Sequence, residues 1–391
     1  MGNIGLRRSL KLLFVSTSVG PLGSGVGGGV ELTLLNTAKL MVKRGHHLEI
    51  AAPSGSKLSE LNISELNISE PNITEIEGTV QIPAQSLSRE VPVTMPPHSV
   101  LANLWDYART VQGQFDLIVN FAYDWLPFYL TPFFETPVAH LVSMGSLNEA
   151  MDIAVGQVAA QYPHAIGVYT KTQAATFPFA EQCVPLGSGL DLSLYHYCDR
   201  PDMALAWLGR ISPEKGLEDA VAAAQIAGLP LKVMGKIQDQ DYFEQIQRDF
   251  SGAIEPGAAG SGAFEYLGFL DTQAMQAVVR KCRALLVTSR WVEAFGNVLI
   301  EALACGVPVI SYGRGGPTEI VRDGKTGWLV TPDSVDGLVS AIQRLGLIDR
   351  RACRQQAESE YSLEALGDRT EAWFEAVLGS WPRKHERGEI K

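Results

Sequence analysis

The chain has 391 residues, of which 46% are hydrophobic and 19% charged, and its formal net charge is −11 at pH 7. This length suits two domains of ordinary size, and the hydrophobic content excludes extensive disorder. Because an acidic chain repels nucleic-acid phosphates, we expect no nucleic-acid partner. The apolar run at residues 10–19 is too short to span a bilayer, so we expect no stable membrane insertion.

Short apolar runs alternate with helical patterns in the first half of the chain, as they do in parallel α/β sheets. Residues 30–41 repeat apolar side chains every three or four positions and predict a helix. We predict that the fifth apolar run ends the sheet of this domain. The predicted strands are residues 12–16, 48–52, 115–119, 137–142 and 165–169.

A glycine-rich loop separates the first strand from its helix. Gly27, Gly28 and Gly29 allow the backbone to approach a ligand closely, and the following helix N-terminus favours anions. The loop lacks clean G-x-G-x-x-G spacing, and no acidic residue follows the second strand, so it is not a dinucleotide fingerprint. A turn without a ligand remains an alternative.

Residues 61–75 read LNISE, LNISE and PNITE and contain three N-x-S/T sequons. No convincing signal peptide precedes them, so we expect a cytoplasmic protein and interpret the repeat as a duplicated surface insertion. The five cysteines show no zinc-ligand spacing, and no metal is predicted.

The alternating pattern restarts after a predicted linker at residues 187–201. Residues 363–378 form a late amphipathic pattern, and a charged tail follows at residues 380–391. The predicted strands are residues 205–208, 231–234, 264–266, 284–288 and 307–311, and the main predicted helices are residues 217–227 and 297–304.

Two cations flank the turn after the first strand of this second half. Arg210 directly follows the strand and Lys215 precedes the helix, within the run GRISPEKG. Such a pair can neutralise a diphosphate, since arginine binds as a fork and lysine as a point charge. The alternative is surface ion pairing with neighbouring acids such as Glu214, Glu218 or Asp219.

Two acids lie eight residues apart in the run SRWVEAFGNVLIEAL. Glu293 precedes a predicted helix, whose start at Phe295, Gly296 and Asn297 offers backbone N–H groups to an anion. Glu301 lies inside that apolar helix, where an unpaired acid is costly and a hydroxyl-rich ligand would satisfy it. Charge complementation of the helix N-terminus for Glu293, and a salt bridge for Glu301, are the alternatives.

Taken together, these motifs resemble the retaining glycosyltransferases of family 4. The resemblance covers nearly the whole chain, although Ser188 replaces the usual Asn of the linker pattern. The matching segments are the glycine loop with Glu31, residues 44–46, 188–191, 209–210 with 215–216, the E-x7-E pair Glu293 and Glu301, and residues 315–320 and 324–330.

This resemblance implies the GT-B fold, in which two Rossmann-like α/β domains face each other across a cleft. Residues 1–187 would be the acceptor-binding domain, with a helix at residues 363–379 packing back on it. Residues 188–362 would bind the nucleotide sugar, leaving residues 380–391 as a tail. The implied partners are a nucleotide sugar and a small-molecule acceptor, with no other cofactor.

The resemblance also implies roles in a metal-independent, retaining transfer. Arg210 and Lys215 would hold the donor diphosphate, and Glu293 would bond donor-sugar hydroxyls. Glu301 would hold the ribose. The implied backbone contacts to the donor come from Phe295, Gly296, Asn297, Gly28 and Gly29.

Residues 121–134 are rich in aromatic side chains and are a candidate acceptor surface. Tyr123 and Trp125 could stack on a planar heterocycle, and Asp124 could bond its nitrogens. An ordinary aromatic core with a helix cap at Asp124 is the alternative. Ser143 and Met144 complete the predicted acceptor set.

Many relatives carry an active-site histidine at the end of the strand that here leads into Ser143 and Met144. We predict that His140, which lies earlier in that strand, is a hydrogen-bonded core residue, so no general base is assigned. A lipid or saccharide acceptor, a sugar-nucleotide 2-epimerase and a non-catalytic nucleotide-sugar sensor remain alternatives. The sequence makes no prediction of the oligomeric state.

Overall fold

The computed structural model describes residues 8–24, 28–57, 71–81, 94–250 and 264–382. The chain divides into two compact units, one of which is Met1–Gly187 with Leu363–Lys391 and the other Ser188–Ser362. Each unit contains one parallel β-sheet with helices. The predicted α/β class with two Rossmann-like domains is confirmed.

The first unit has a sheet of seven described strands in the order β3-β2-β1-β4-β5-β6-β7, all paired in parallel. The strands are β1 Lys11–Val15, β2 His47–Pro53, β3 Asn72–Ile76, β4 Leu117–Asn120, β5 Val138–Val142, β6 Ile166–Val168 and β7 Cys183–Pro185. The helices before the unit boundary are α1 Gly29–Lys43, α2 Val100–Val111, α3 Trp125–Leu130, α4 Glu149–Gln161 and α5 Lys171–Ala174.

The second unit has six described strands in the order β10-β9-β8-β11-β12-β13. The strands are β8 Leu205–Leu208, β9 Leu231–Met234, β10 Phe264–Tyr266, β11 Leu285–Val287, β12 Val309–Tyr312 and β13 Gly327–Val330. The helices are α6 Leu217–Ala227, α7 Gln240–Phe250, α8 Thr272–Val279, α9 Asn297–Ala304, α10 Pro317–Ile320, α11 Val335–Gln343 and α12 Arg350–Glu360.

The strand order of both sheets reverses beside the first strand of each unit. In the first unit β1 lies between β2 and β4, and in the second β8 lies between β9 and β11. The central strands are apolar because helices cover both faces of a parallel sheet. Ligands of such sheets bind beyond the carboxyl ends of the strands at this reversal, which is where the predicted site motifs lie.

Two expectations about the first sheet were wrong. The strand at residues 165–169 forms as β6 but does not end the sheet, because β7 pairs beside it in parallel. Within the repeat, the described part of its last unit forms β3 and pairs with β2, so it is a sheet edge and not a surface insertion. The two LNISE units lie outside the described residues.

The late helix forms as α13, Leu363–Ser380, and packs on α1 of the same unit. Arg44 at the end of α1 binds Glu371 at 2.5 Å and Asp368 at 2.9 Å. His46 Nδ1 accepts the N–H of Leu10 at 3.1 Å, so its Nε2 carries the proton and donates to Glu371 at 3.0 Å. Because Glu371 is buried, these contacts anchor α13 specifically in this register.

Among the described residues, no helix combines the length and the apolar character that crossing a membrane requires.

Candidate functional site

The strongest sequence motifs of the second unit meet at the carboxyl ends of two neighbouring strands. Arg210 and Lys215 lie in the turn after β8, and Glu293 lies in the loop after β11. Because β8 and β11 are paired side by side, the turn and the loop meet at one edge of the sheet. The structure thus brings together residues that are 78 positions apart in the chain.

The Lys215 ammonium forms an ion pair with the Glu293 carboxylate. The same oxygen, Glu293 Oε1, accepts hydrogen bonds from the hydroxyl of Ser289 and the indole N–H of Trp291, both at 2.7 Å. Burial opposes ionisation of Glu293, but the lysine charge and the neutral donors outweigh it, so its pKa lies below the usual value. Glu293 is therefore a firmly ionised acceptor, not only a complement to a helix N-terminus.

Trp291 connects the three predicted charged residues, a role that sequence reasoning did not assign to it. The centroid of its ring lies 4.7 Å from Lys215 Nζ and 5.7 Å from the Arg210 guanidinium carbon, while its N–H donates a hydrogen bond to Glu293. Cations are attracted to the face of an indole. The sequence signal for this role was a tryptophan in the predicted loop, two positions before Glu293.

Arg210 is held less tightly than Lys215. It donates to the side-chain oxygen of Gln238 and lies 3.5 Å from Glu214, the ion pair named above as an alternative. Its side chain is 31% exposed, against 15% for Lys215. Arg210 therefore keeps the freedom to reach an incoming anion, whereas Lys215 is fixed beside Glu293.

The other two acids named as alternative partners of the cations, Glu218 and Asp219, bind a different residue. Arg290 lies 2.9 Å from Glu218 and 3.1 Å from Asp219. Because Arg290 takes these two acids, they do not compete with Glu293 for the ammonium of Lys215.

Two glycines press against the loop that carries Glu293. The N–H of Gly316 donates to Glu293 O at 2.7 Å. A Cβ added to Gly315 would lie 2.5 Å from Glu293 O, and one added to Gly316 would lie 2.4 Å from Phe295 O. Only glycine fits this close backbone approach, which fixes where the Glu293 carboxylate stands.

Helix α9 begins directly after this loop. Gly296 is its N-cap and makes no side-chain cap bond, Asn297 is its first residue, and Phe295 is buried beside it. A helix N-terminus carries partial positive charge. The predicted backbone contacts to an anion thus lie next to the cations of the same unit.

Glu301 lies one further turn along α9 and is buried. Among the described residues its side-chain partner is not a cation but the hydroxyl of Tyr195, at 3.1 Å from Oε1. Burial raises the pKa of Glu301 to about 7, and the Tyr195 hydrogen bond acts against this rise.

Thr288 fixes the backbone of the turn that carries Lys215 by hydrogen bonding to it. The buried hydroxyl of Thr288 lies 3.0 Å from Lys215 O and 2.7 Å from Gly216 O, and it accepts the indole N–H of Trp207 at 3.1 Å. Gly216 has a φ of 61°, which favours glycine, and an added Cβ would lie 2.4 Å from Thr288 O. The turn after β8 is thereby tied to the end of β11.

We expect Thr288→Val to lower the free energy of unfolding by about 1–3 kcal/mol, because it leaves the Trp207 N–H and a carbonyl buried without their partner. Urea unfolding followed by tryptophan fluorescence measures this change. Thr331→Val, at an exposed position, is the matched control, for which we expect a change within about 0.5 kcal/mol. Equal losses in both variants would show that Thr288 does not lock the turn.

The first unit carries the remaining predicted residues, also beyond the carboxyl ends of strands. Gly28 is the N-cap of α1, with a φ of 57°, and Gly29 is the first helical residue. The Tyr123 hydroxyl, after β4, donates to Gly145 O at 3.2 Å, after β5. Tyr123 thus joins the two loops that hold the predicted acceptor residues.

Two of the other predicted acceptor residues, Asp124 and Trp125, have structural partners as well. Asp124 caps α3 by accepting the N–H of Leu126 at 3.4 Å, the alternative named from sequence, and burial raises its pKa. Trp125 stacks on Tyr129 at 4.4 Å. Ser143 and Met144, which follow β5, are half-buried.

His140 is a core residue, as predicted. It is fully buried in β5, its Nε2 lies 2.9 Å from the Thr131 hydroxyl and its Nδ1 lies 3.1 Å from the Asn120 amide. Its ring stacks on Phe128 at 4.5 Å. Burial lowers its pKa to about 3, so His140 stays neutral at physiological pH.

Residues 201–360 match the family model described as "Glycosyl transferases group 1". The chain is 27% identical over 209 residues to glycogen synthase of Mycobacterium tuberculosis, covering 49% of this chain and 48% of that protein. It is 27% identical over 226 residues to D-inositol 3-phosphate glycosyltransferase of Mycobacterium marinum, covering 51% and 46%. The chain thus spans about half the length of the curated relatives it matches.

The fold is also that of a solved structure, Anabaena HepE in complex with UDP and glucose. The TM-score is 0.71 at 17% sequence identity, over 93% of this chain and 99% of that one. At this identity the likeness concerns the fold alone, and it confirms the predicted GT-B fold. Within the described residues, no group of three or more His, Cys, Asp or Glu side chains could hold a metal ion.

Proposed function

We propose that this chain is a UDP-sugar-dependent retaining hexosyltransferase, which moves glucose from UDP-glucose to tetrahydrobiopterin and forms a pterin α-glucoside. The observation that carries the proposal is the cluster of Lys215, Arg210, Trp291 and Glu293 beside the start of α9. The family model matched by residues 201–360 supports a glycosyltransferase activity.

The cluster suits a nucleotide sugar because it offers opposite charges at one place. Lys215 and Arg210 attract the diphosphate, and the N-terminus of α9 adds partial positive charge. The ionised Glu293 accepts hydrogen bonds from sugar hydroxyls, and Glu301 does the same for the ribose. The structure of HepE with UDP and glucose supports the choice of donor.

In the proposed reaction, the bond between the sugar C1 and the diphosphate oxygen breaks as the acceptor oxygen or nitrogen attacks the same face of C1. Lys215 and Arg210 stabilise the charge that develops on the departing diphosphate. The acceptor proton passes to that diphosphate, so no protein base is required. This assignment agrees with a neutral, buried His140.

The acceptor is proposed from a narrower resemblance. Residues 14–17, 19–25 and 120–127 resemble the cyanobacterial UDP-glucose:tetrahydrobiopterin glucosyltransferase. The aromatic side chains Tyr123 and Trp125 after β4 provide faces on which a planar pterin can stack. Asp124, with Ser143 and Met144 after β5, provides hydrogen-bonding and apolar contacts in the same unit.

The test is UDP release from UDP-glucose, measured with and without tetrahydrobiopterin and followed by mass analysis of the pterin. We expect release that depends on the pterin and a product heavier by one hexose. UDP release without a heavier pterin would refute the acceptor and direct the search to lipids and saccharides. Donor binding without any release would refute transfer and favour the sensor alternative.

A further inference from the structure

Glu301 is an acid inside an otherwise apolar helix, and one of its two carboxylate oxygens has a defined partner. Oε1 accepts the Tyr195 hydroxyl at 3.1 Å. Across the described residues, no hydrogen bond to Oε2 is found. One oxygen is thus held by the protein, and the other remains available to a hydroxyl-bearing ligand.

Tyr195 acts as the donor in this contact. The residue is buried, and burial together with the nearby Glu301 charge raises its pKa far above the usual value. The phenol therefore keeps its proton at any working pH. Since an ionised carboxylate can only accept, the direction of the hydrogen bond is fixed.

The backbone around Tyr195 is itself attached to α9. Arg354 donates through Nη1 to Tyr195 O at 2.8 Å and to Ala304 O, at the end of α9, at 2.6 Å. The N–H of Tyr195 also donates to Leu192 O at 3.3 Å. The phenol consequently approaches Glu301 from a backbone segment that is fixed by hydrogen bonds to α12 and to its own turn.

The contact also affects the charge of Glu301. Burial favours the protonated acid, and the Tyr195 hydrogen bond favours the carboxylate. A protonated Glu301 would offer a donor to ligand hydroxyls in place of one acceptor. Tyr195 thus supports both the orientation of Glu301 and its capacity to accept.

We propose that Tyr195 is a positioning residue for ribose recognition: its hydroxyl holds Glu301 so that the second carboxylate oxygen accepts from the ribose of the nucleotide. The inference rests on the proposed function, in which Glu301 binds that ribose. It predicts a specific loss of selectivity for ribose hydroxyls, not a general loss of nucleotide binding.

The test measures the affinities of UDP and of 2′,3′-dideoxy-UDP by titration calorimetry. We expect the parent protein to bind UDP at least about tenfold more tightly than it binds the dideoxy compound, since hydrogen bonds to a charged group are strong. Tyr195→Phe keeps the ring and removes the donor, and it should weaken UDP about fivefold to tenfold while leaving the dideoxy affinity unchanged. Tyr197→Phe, at an exposed position two residues on, should change neither.

Glu301→Gln separates failure of this inference from failure of the proposed function. An unchanged ratio of the two affinities in Glu301→Gln would refute the ribose role of Glu301, and with it both proposals for this residue. A ratio that collapses in Glu301→Gln but survives in Tyr195→Phe would overturn the positioning role alone. Equal weakening of both nucleotides by Tyr195→Phe would also overturn it, because a structural defect does not distinguish ribose hydroxyls.

Discussion

Lys215→Ala should lower kcat by a factor on the order of 10²–10³, because it removes a fixed positive charge that stabilises the departing diphosphate. The affinity for UDP should fall as well, since UDP carries the same diphosphate. UDP release from UDP-glucose and calorimetric titration with UDP measure the two effects. The side chain of Lys215 is 15% exposed and its ammonium is paired with Glu293, so the substitution removes a charge whose position is fixed.

Loss of folding must be separated from loss of chemistry in this variant. Removing Lys215 leaves Glu293 with the Ser289 and Trp291 donors alone, which will lower stability. Both assays therefore belong below the melting temperature of the variant, as read by circular dichroism. Lys325→Ala, at an exposed position in the same unit, is the matched control and should behave as the parent. Unchanged turnover in Lys215→Ala would remove the phosphate assignment.

Glu293→Gln should have the opposite effect on UDP. The variant removes the charge that Lys215 is paired with, so UDP should bind at least as tightly as it does to the parent. Sugar transfer should still fall roughly 10²-fold, because an ionised acceptor for the donor-sugar hydroxyls is lost. Calorimetry with UDP and initial rates with UDP-glucose give the two numbers.

The contrast with Lys215→Ala makes this prediction decisive. If Glu293→Gln weakens UDP as much as Lys215→Ala does, the carboxylate serves to hold Lys215 and does not bind the sugar. Glu265→Gln, on the exposed side of β10, controls for the loss of one negative charge. It should leave both the affinity and the rate unchanged.

Local patterns in the sequence were enough to predict several elements to the residue. The bounds predicted for α6, β9, β10 and α9 are those of the structure. Each of these elements has a clear helical period or consists mostly of apolar residues. Such signals act over a few neighbours, and the chain does not need its tertiary context to display them.

The two edge strands of the first sheet escaped this kind of reasoning. The described strand β3 is largely exposed or half-buried, with polar Asn72, Thr74 and Glu75, and β7 has three residues. Neither presents an apolar run of its own. They form strands because their backbone N–H and C=O groups pair with those of a neighbouring strand. These partners exist only once β2 and β6 have formed.

The residue types at the carboxyl ends of β8 and β11 could be read directly from the chain, because the turn glycines, the charges and the E-x7-E spacing lie close together along it. Their partners were decided by the tertiary structure. Lys215 meets Glu293 across 78 positions and Tyr195 meets Glu301 across 106. A charge in a sequence has many potential partners, and only the packed backbone brings one of them within hydrogen-bonding distance in a site shielded from water.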